Sequence, residues 1–249
     1  MELLSMILLM AVSFISAIIG TMIGSAMLIL PPTMIFLGVP VYTAIATARF
    51  SMLGIAVGNL TKFSTKEKVE FRYVWPFAIA GVVGSFASAS FMTQVDEGLL
   101  KTIVGILMIA ISLLILAEDY VKPKGKKKKG AVVRHVLSVI AGLFIGAYIG
   151  LIGGGGATLI IFLLVLIYGL SFKEALVNQK AVTLPISIVT TIVFVYRGLI
   201  DYKIGAPLLL INVAGGWVGA AMILKFRNTW LKRILVPVII LMAVRLIFF

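Results

Sequence analysis

The chain has no cysteine and a single histidine, and its acidic residues are few: nine Asp and Glu against 22 Lys and Arg. Without cysteine there is no disulfide, no thiol nucleophile and no Cys-ligated metal, and redox compartment leaves no mark on the sequence. The one histidine, His135, stands beside Arg134 at the edge of an apolar run, an interfacial place and not a catalytic one. No H-E-x-x-H, no G-x-S-x-G and no Asp pair occurs within an apolar run. The expectation is that the protein is not an enzyme, has no catalytic residues, and needs no metal or cofactor. The acids that exist are Glu2, Glu67, Glu70, Asp96, Glu97, Glu118, Asp119, Glu174 and Asp201. All fall at the ends of apolar runs or between them. Hard cations bind carboxylates or carbonyl cages, so a cation carrier is disfavoured.

Apolar sequence fills the space these residues leave. Hydrophobic residues make up 61% of the 249 positions and the mean hydropathy is +1.18, too high for a soluble globular domain. Runs of about 18 apolar residues or more predict an all-α integral membrane protein. Spans are predicted near 3–22, 26–38, 41–61, 73–92 and 99–117, then 134–152, 156–170, 175–196, 204–224 and 231–248. The N-terminus has no basic flank, so its apolar run reads as a first span and not as a cleaved leader.

Two stretches, 3–38 and 135–170, have an awkward length. Each is about 36 residues, where one span needs about 20 and two need about 40 plus a turn. Each is interrupted: by Gly24-Ser25 ahead of Pro31-Pro32, and by Gly153-Gly154-Gly155-Gly156. Broken or re-entrant helices fit. Irregular backbone at membrane depth is tolerated only where protein buries it or it lines a wet cavity.

The chain also repeats itself. FISAIIGTMIGSAMLIL from Phe14 aligns with FIGAYIGLIGGGGATLI from Phe144, pairing Ala17 with Ala147, Gly20 with Gly150 and Gly24 with Gly154. One further residue of offset pairs Ala44 with Ala175, Thr47 with Asn178, Arg49 with Lys180 and Glu70 with Asp201. Farther on, Gly81-Val82-Val83-Gly84 reads against Gly216-Trp217-Val218-Gly219. The duplication covers about 100–110 residues. It divides the chain into a first repeat, 1–117, a basic linker, 118–133, and a second repeat, 134–249. Five segments per repeat is an odd number, so the two repeats enter the membrane in opposite senses, an arrangement of carriers that bind substrate at the midplane.

The linker carries Lys126–Lys129. A solvated cytoplasmic anchor touching anionic lipid explains it, and nucleic acid is not an expected partner. With the linker and its six lysines inside, Lys62, Lys66, Lys68, Arg72, Arg134, Lys173, Lys225, Arg227, Lys232 and Arg233 also fall inside. Only Lys101, Arg197, Lys203 and Arg245 fall outside. This follows the positive-inside rule and places both termini outside a cell membrane crossed many times.

Arg49 and Lys180 fit neither side. Each lies roughly 8–12 Å along its predicted helix at ~1.5 Å per residue. Buried charge at such depth costs several kcal/mol and faces a cavity or a partner. With no buried acid to serve as one, an external anion is expected. Glycines at a helix start expose N–H donors to an oxyanion, which nominates Gly24, Ser25, Gly153, Gly154, Gly155 and Gly156. Thr47, Ser51, Asn178, Gln179 and Thr183 stand near the two cations and offer further donors. Competing explanations are ordinary ones. The cations reach headgroups or backbone carbonyls, the hydroxyls and amides bond their own helices, and Gly142, Gly146 and Gly150 serve close helix packing.

These motifs together resemble the sulfite exporter (TauE/SafE) family of membrane transporters. The second half matches with Gly150-Leu151-Ile152-Gly153-Gly154-Gly155-Gly156 and Ala175-Leu176-Val177-Asn178. The first half matches less closely with Gly20-Thr21-Met22-Ile23-Gly24-Ser25-Ala26, Pro31 and Ala44-Ile45-Ala46-Thr47. The resemblance implies export of sulfur oxyanions or organosulfonates such as sulfite. The alternative, a structural or receptor-like membrane protein that transports nothing, has no need of Arg49 and Lys180 inside its spans.

Overall fold

The computed structural model describes residues 3–24, 26–62, 69–117, 131–153, 155–223 and 229–248. Ser25, Gly154 and all of the linker before Ala131 lie outside the described residues. Among the described residues the fold is entirely helical: α1 Leu3–Ile23, α2 Leu30–Phe36, α3 Val41–Lys62, α4 Phe71–Phe91 and α5 Glu97–Ala117, then α6 Ala131–Leu151, α7 Gly156–Tyr168, α8 Phe172–Tyr196, α9 Tyr202–Ile223 and α10 Thr229–Phe248. A 3₁₀ turn at Ala26–Leu28 precedes α2. Among the described residues seven helices are long and apolar enough to cross a membrane, whereas Ala26–Phe36, Gly156–Tyr168 and Val236–Phe248 are short. The awkward lengths of 3–38 and 135–170 therefore resolve as one full helix and one short one each. Helix α6 starts three residues before the predicted span, inside what reads as linker.

The surface is apolar. Phe144, Leu210, Leu241 and Trp75 point outward, as a hydrocarbon solvent permits and water does not. The interior contains Ser13, Ser16, Thr47, Ser51, Asn178 and Asn212, all buried.

Packing does not follow the sequence halves. Helix α9 of the second half packs on α1 and α3, and α4 of the first half packs on α6 and α8. One apolar cluster gathers α1, α2, α3 and α9 through Leu9, Met34, Ala48 and Leu208. Another gathers α4, α6, α7 and α8 through Phe77, Ile149, Leu164 and Ile186. Helices α5 and α10 pack on each other and complete a third cluster through Met108 and Ile239. Each half thus lends one helix to the other.

Glycines make the exchange possible by letting backbones touch. A methyl on Gly84 would run into the Leu143 carbonyl and Ala147 of α6; one on Gly215 would meet Phe14 and Ala17 of α1. Gly142, Gly146 and Gly150 lie directly against Phe77, Gly81 and Ser85 of α4, which is the close-packing role of small residues in membrane helices. Gly84 against α6 and Gly215 against α1 make like contacts, and Pro76 and Pro207 lie inside α4 and α9.

Candidate functional site

Two chain breaks and one arginine meet at the junction of the two clusters. Helix α6 ends because Gly153 adopts φ +77°, a left-handed conformation that glycine reaches without a Cβ clash. A continuing helix would give the Gly153 N–H to Ile149. It goes instead to the Tyr148 carbonyl, at 3.5 Å, which also accepts from Ile152 N at 3.0 Å. The Ile149 carbonyl accepts from Nη2 of Arg49 at 2.8 Å, a bond from α3 across to α6. Arg49 is 5% exposed, and its Nε is buried without a hydrogen-bond partner. The phenol of Tyr148 stands within electrostatic reach of the guanidinium.

The glycines close in on this group. A Cβ on Gly153 would overlap the Arg49 guanidinium and stand 2.9 Å from the Met27 methyl. Gly155, at φ +74°, caps α7 with no side-chain hydrogen bond and lies against Ile111 of α5; Gly156 lies against Ile149. The other break, Gly24 at φ +83°, abuts the first turn of α7. A methyl there would be 3.0 Å from Ala157 Cβ and 3.3 Å from Thr158 N. The structure thus brings Gly24, Gly153, Gly155, Gly156 and Arg49 to one place, with the N-terminal turn of α7 among them.

The polar candidates other than Lys180 hold hydrogen bonds to the protein. Asp201 N–H donates to Thr47 Oγ1 at 2.9 Å, and Glu70 N–H donates to Asn178 Oδ1 at 2.8 Å. Asn178 Nδ2 donates to the Glu174 carbonyl at 2.8 Å. The two cross-half bonds are reciprocal: a side chain of each half receives the N–H that opens a helix of the other. Ser51 donates to Ala48 O at 2.8 Å and receives Asn212 Nδ2 at 3.2 Å, while Ser13 donates to Asn212 Oδ1 at 2.8 Å. That network fastens α1, α3 and α9. Gln179 Nε2 donates to Thr183 Oγ1 at 2.8 Å within α8, and Thr183 donates back to the Gln179 carbonyl at 3.1 Å. Lys180 is half-buried on α8, which packs on α3.

Sequence reasoning missed Ile149, Met27 and Asn212. The first had a signal: a glycine break after α6 must free a carbonyl one turn earlier.

Thr47 and Asn178 give a prediction. Thr47→Val and Asn178→Leu leave backbone N–H groups without acceptors, at about 1–3 kcal/mol each. Thermal unfolding in detergent should fall for both and recover in Thr47→Ser. Unchanged midpoints would remove the two residues from the scaffold.

The model of the family described as sulfite exporter TauE/SafE matches residues 7–246. The chain belongs to the TauE/SafE family. It is a membrane transporter of many helices. A "Probable membrane transporter protein" of Haemophilus influenzae is 22% identical over 97% of this chain and 94% of its own length. Bacillus subtilis YdhB, of the same description, is 23% identical over 88% of this chain and 87% of its own. Escherichia coli YfcA is 20% identical over 95% and 87%. No solved structure matches. In this TauE/SafE chain the helix breaks and Arg49 are the features that a packing role leaves least explained.

Proposed function

We propose that this TauE/SafE protein exports small anions, namely sulfur oxyanions or organosulfonates such as sulfite, across the cell membrane, binding them at the midplane between two inverted repeats. The observation that carries the reading is Arg49: a buried guanidinium whose Nε has no partner, placed where both helix breaks meet. A planar fork with an unused donor suits an oxyanion. The first turn of α7, capped by Gly155 without a side chain, adds backbone donors and the positive end of a helix dipole. Lys180 supplies the second cation from the corresponding position of α8.

The packing supports the inverted repeat. Exchanging α1–α5 for α6–α10 turns α1 on α9 into α6 on α4, and α3 on α9 into α8 on α4. The reciprocal hydrogen bonds at Thr47 and Asn178 obey the same exchange. Such self-complementary pairing is what a two-fold axis produces, and five helices per half turn that axis into the membrane plane. The loop cations support a cytoplasmic linker.

Efflux of an anion needs no coupling ion. An inside-negative potential drives each negative charge outward by about 2.3 kcal/mol per 100 mV, enough for a roughly 50-fold gradient of a monoanion at ~1.4 kcal/mol per tenfold. In proteoliposomes with a potassium–valinomycin potential and no proton or sodium gradient, sulfite flux should follow the imposed voltage in sign. Flux that ignores voltage and requires a pH gradient would reject the uniport, and absence of sulfite flux under every gradient would reject the export reading.

A further inference from the structure

We infer that the Ile149 carbonyl is an internal competitor for the substrate anion, so that anion binding at Arg49 unlatches the end of α6. The inference rests on the anion site proposed above and concerns how that site couples to movement.

The contact has the form of a latch. Arg49 follows Ala48, a core residue of the cluster of α1, α2, α3 and α9. Ile149 belongs to the cluster of α4, α6, α7 and α8. The 2.8 Å hydrogen bond between Arg49 and Ile149 therefore joins α3 to the end of α6, beside the break at Gly153. It exists because Gly153 turns its N–H to Tyr148 and leaves the Ile149 carbonyl for another donor. The last carbonyls of a helix carry partial negative charge, so this oxygen stands in for an anion.

A full anion competes on favourable terms. Hydrogen bonds between two ionised groups are shorter and stronger than those with one neutral partner, and the buried setting amplifies the difference. The unpartnered Nε gives the incoming oxyanion a first contact before the carbonyl lets go. Once Nη2 turns to the anion, the polar tie from α3 to the end of α6 is gone, and what remains between them is apolar packing, which permits a shift. A ligand moves an equilibrium only by its differential affinity for the two states. A neutral acceptor of the same shape has no advantage over a carbonyl and leaves the latch shut. Selection at this site is then by charge, before shape is read.

Methanesulfonate and dimethyl sulfone, near-isosteres that differ by one negative charge, separate the possibilities. Val57→Cys and Phe144→Cys place labels on α3 and α6 at exposed positions, 49% and 71% accessible, in a chain with no other cysteine. With thioether-linked nitroxides in nanodiscs, methanesulfonate should shift the interlabel distance by about 2 Å or more, the scale of helix displacements in switching proteins. Dimethyl sulfone should not. With Arg49→Ala added, the shifted distance should be present without ligand and insensitive to methanesulfonate. The ligand comparison decides the matter in the unsubstituted Arg49 background even if that variant does not fold. Methanesulfonate binding is scored separately, as a ligand-induced rise in unfolding temperature. Binding with an unmoved distance overturns the latch and leaves the anion site standing. A shift produced equally by dimethyl sulfone overturns selection by charge, and absence of methanesulfonate binding overturns both the latch and the site.

Discussion

Arg49→Ala is expected to lower anion flux by roughly 10- to 100-fold while the protein still inserts. The size follows from charge-assisted hydrogen bonds worth about 1.5–3 kcal/mol, at ~1.4 kcal/mol per tenfold. Arg49 also has a fold role, because it satisfies the Ile149 carbonyl, and its loss leaves a buried acceptor that costs about 1–3 kcal/mol of stability. The two effects are separable. Flux is measured in proteoliposomes at fixed voltage, and stability by thermal unfolding of the same preparation. Arg49→Lys keeps the charge and loses the planar fork. It should recover part of the stability and little of the flux. An Arg49→Ala protein that unfolds earlier but transports at the wild-type rate would make Arg49 a structural residue only, and the anion site would have to be sought at Lys180.

Gly153→Ala is expected to be nearly as damaging. At φ +77° an alanine bears about 1–2 kcal/mol of backbone strain, and its Cβ has no room beside the Arg49 guanidinium and the Met27 methyl. Either the guanidinium leaves Ile149 or the end of α6 rewinds; both displace the donors. Flux should fall about tenfold or more. Gly198→Ala is the matched control. Its φ is +66° and nothing lies within 4 Å of an added Cβ, so it carries the same kind of strain without the clash. Transport should persist in Gly198→Ala and fail in Gly153→Ala. Equal losses in both would mean that strain alone, not the crowding at Arg49, sets the effect.

The glycine breaks were legible because length and composition conflicted: about 36 apolar residues suit neither one span nor two. Gly24 and Gly153 do take left-handed conformations. Arg49 was legible because a guanidinium amid apolar text has few innocent explanations. At Thr47 and Asn178 a polar side chain beside a cation reads the same whether it faces a ligand or receives a distant N–H. Only the tertiary structure shows the N–H groups of Asp201 and Glu70 donating to them.

Sequence alone determined the helical membrane class, the ten segments, the places where the backbone breaks, and the shortage of buried acids. These depend on local composition and on the hydrocarbon solvent, which act residue by residue. Tertiary structure alone decided that α4 and α9 pack across the halves, that Gly24 abuts the first turn of α7 while Gly153 abuts Arg49, and that Arg49 bonds the Ile149 carbonyl. Those outcomes depend on which apolar faces meet. In a chain whose every helix is apolar, hydrophobicity does not choose among partners; the fit of glycine backbones against carbonyls does.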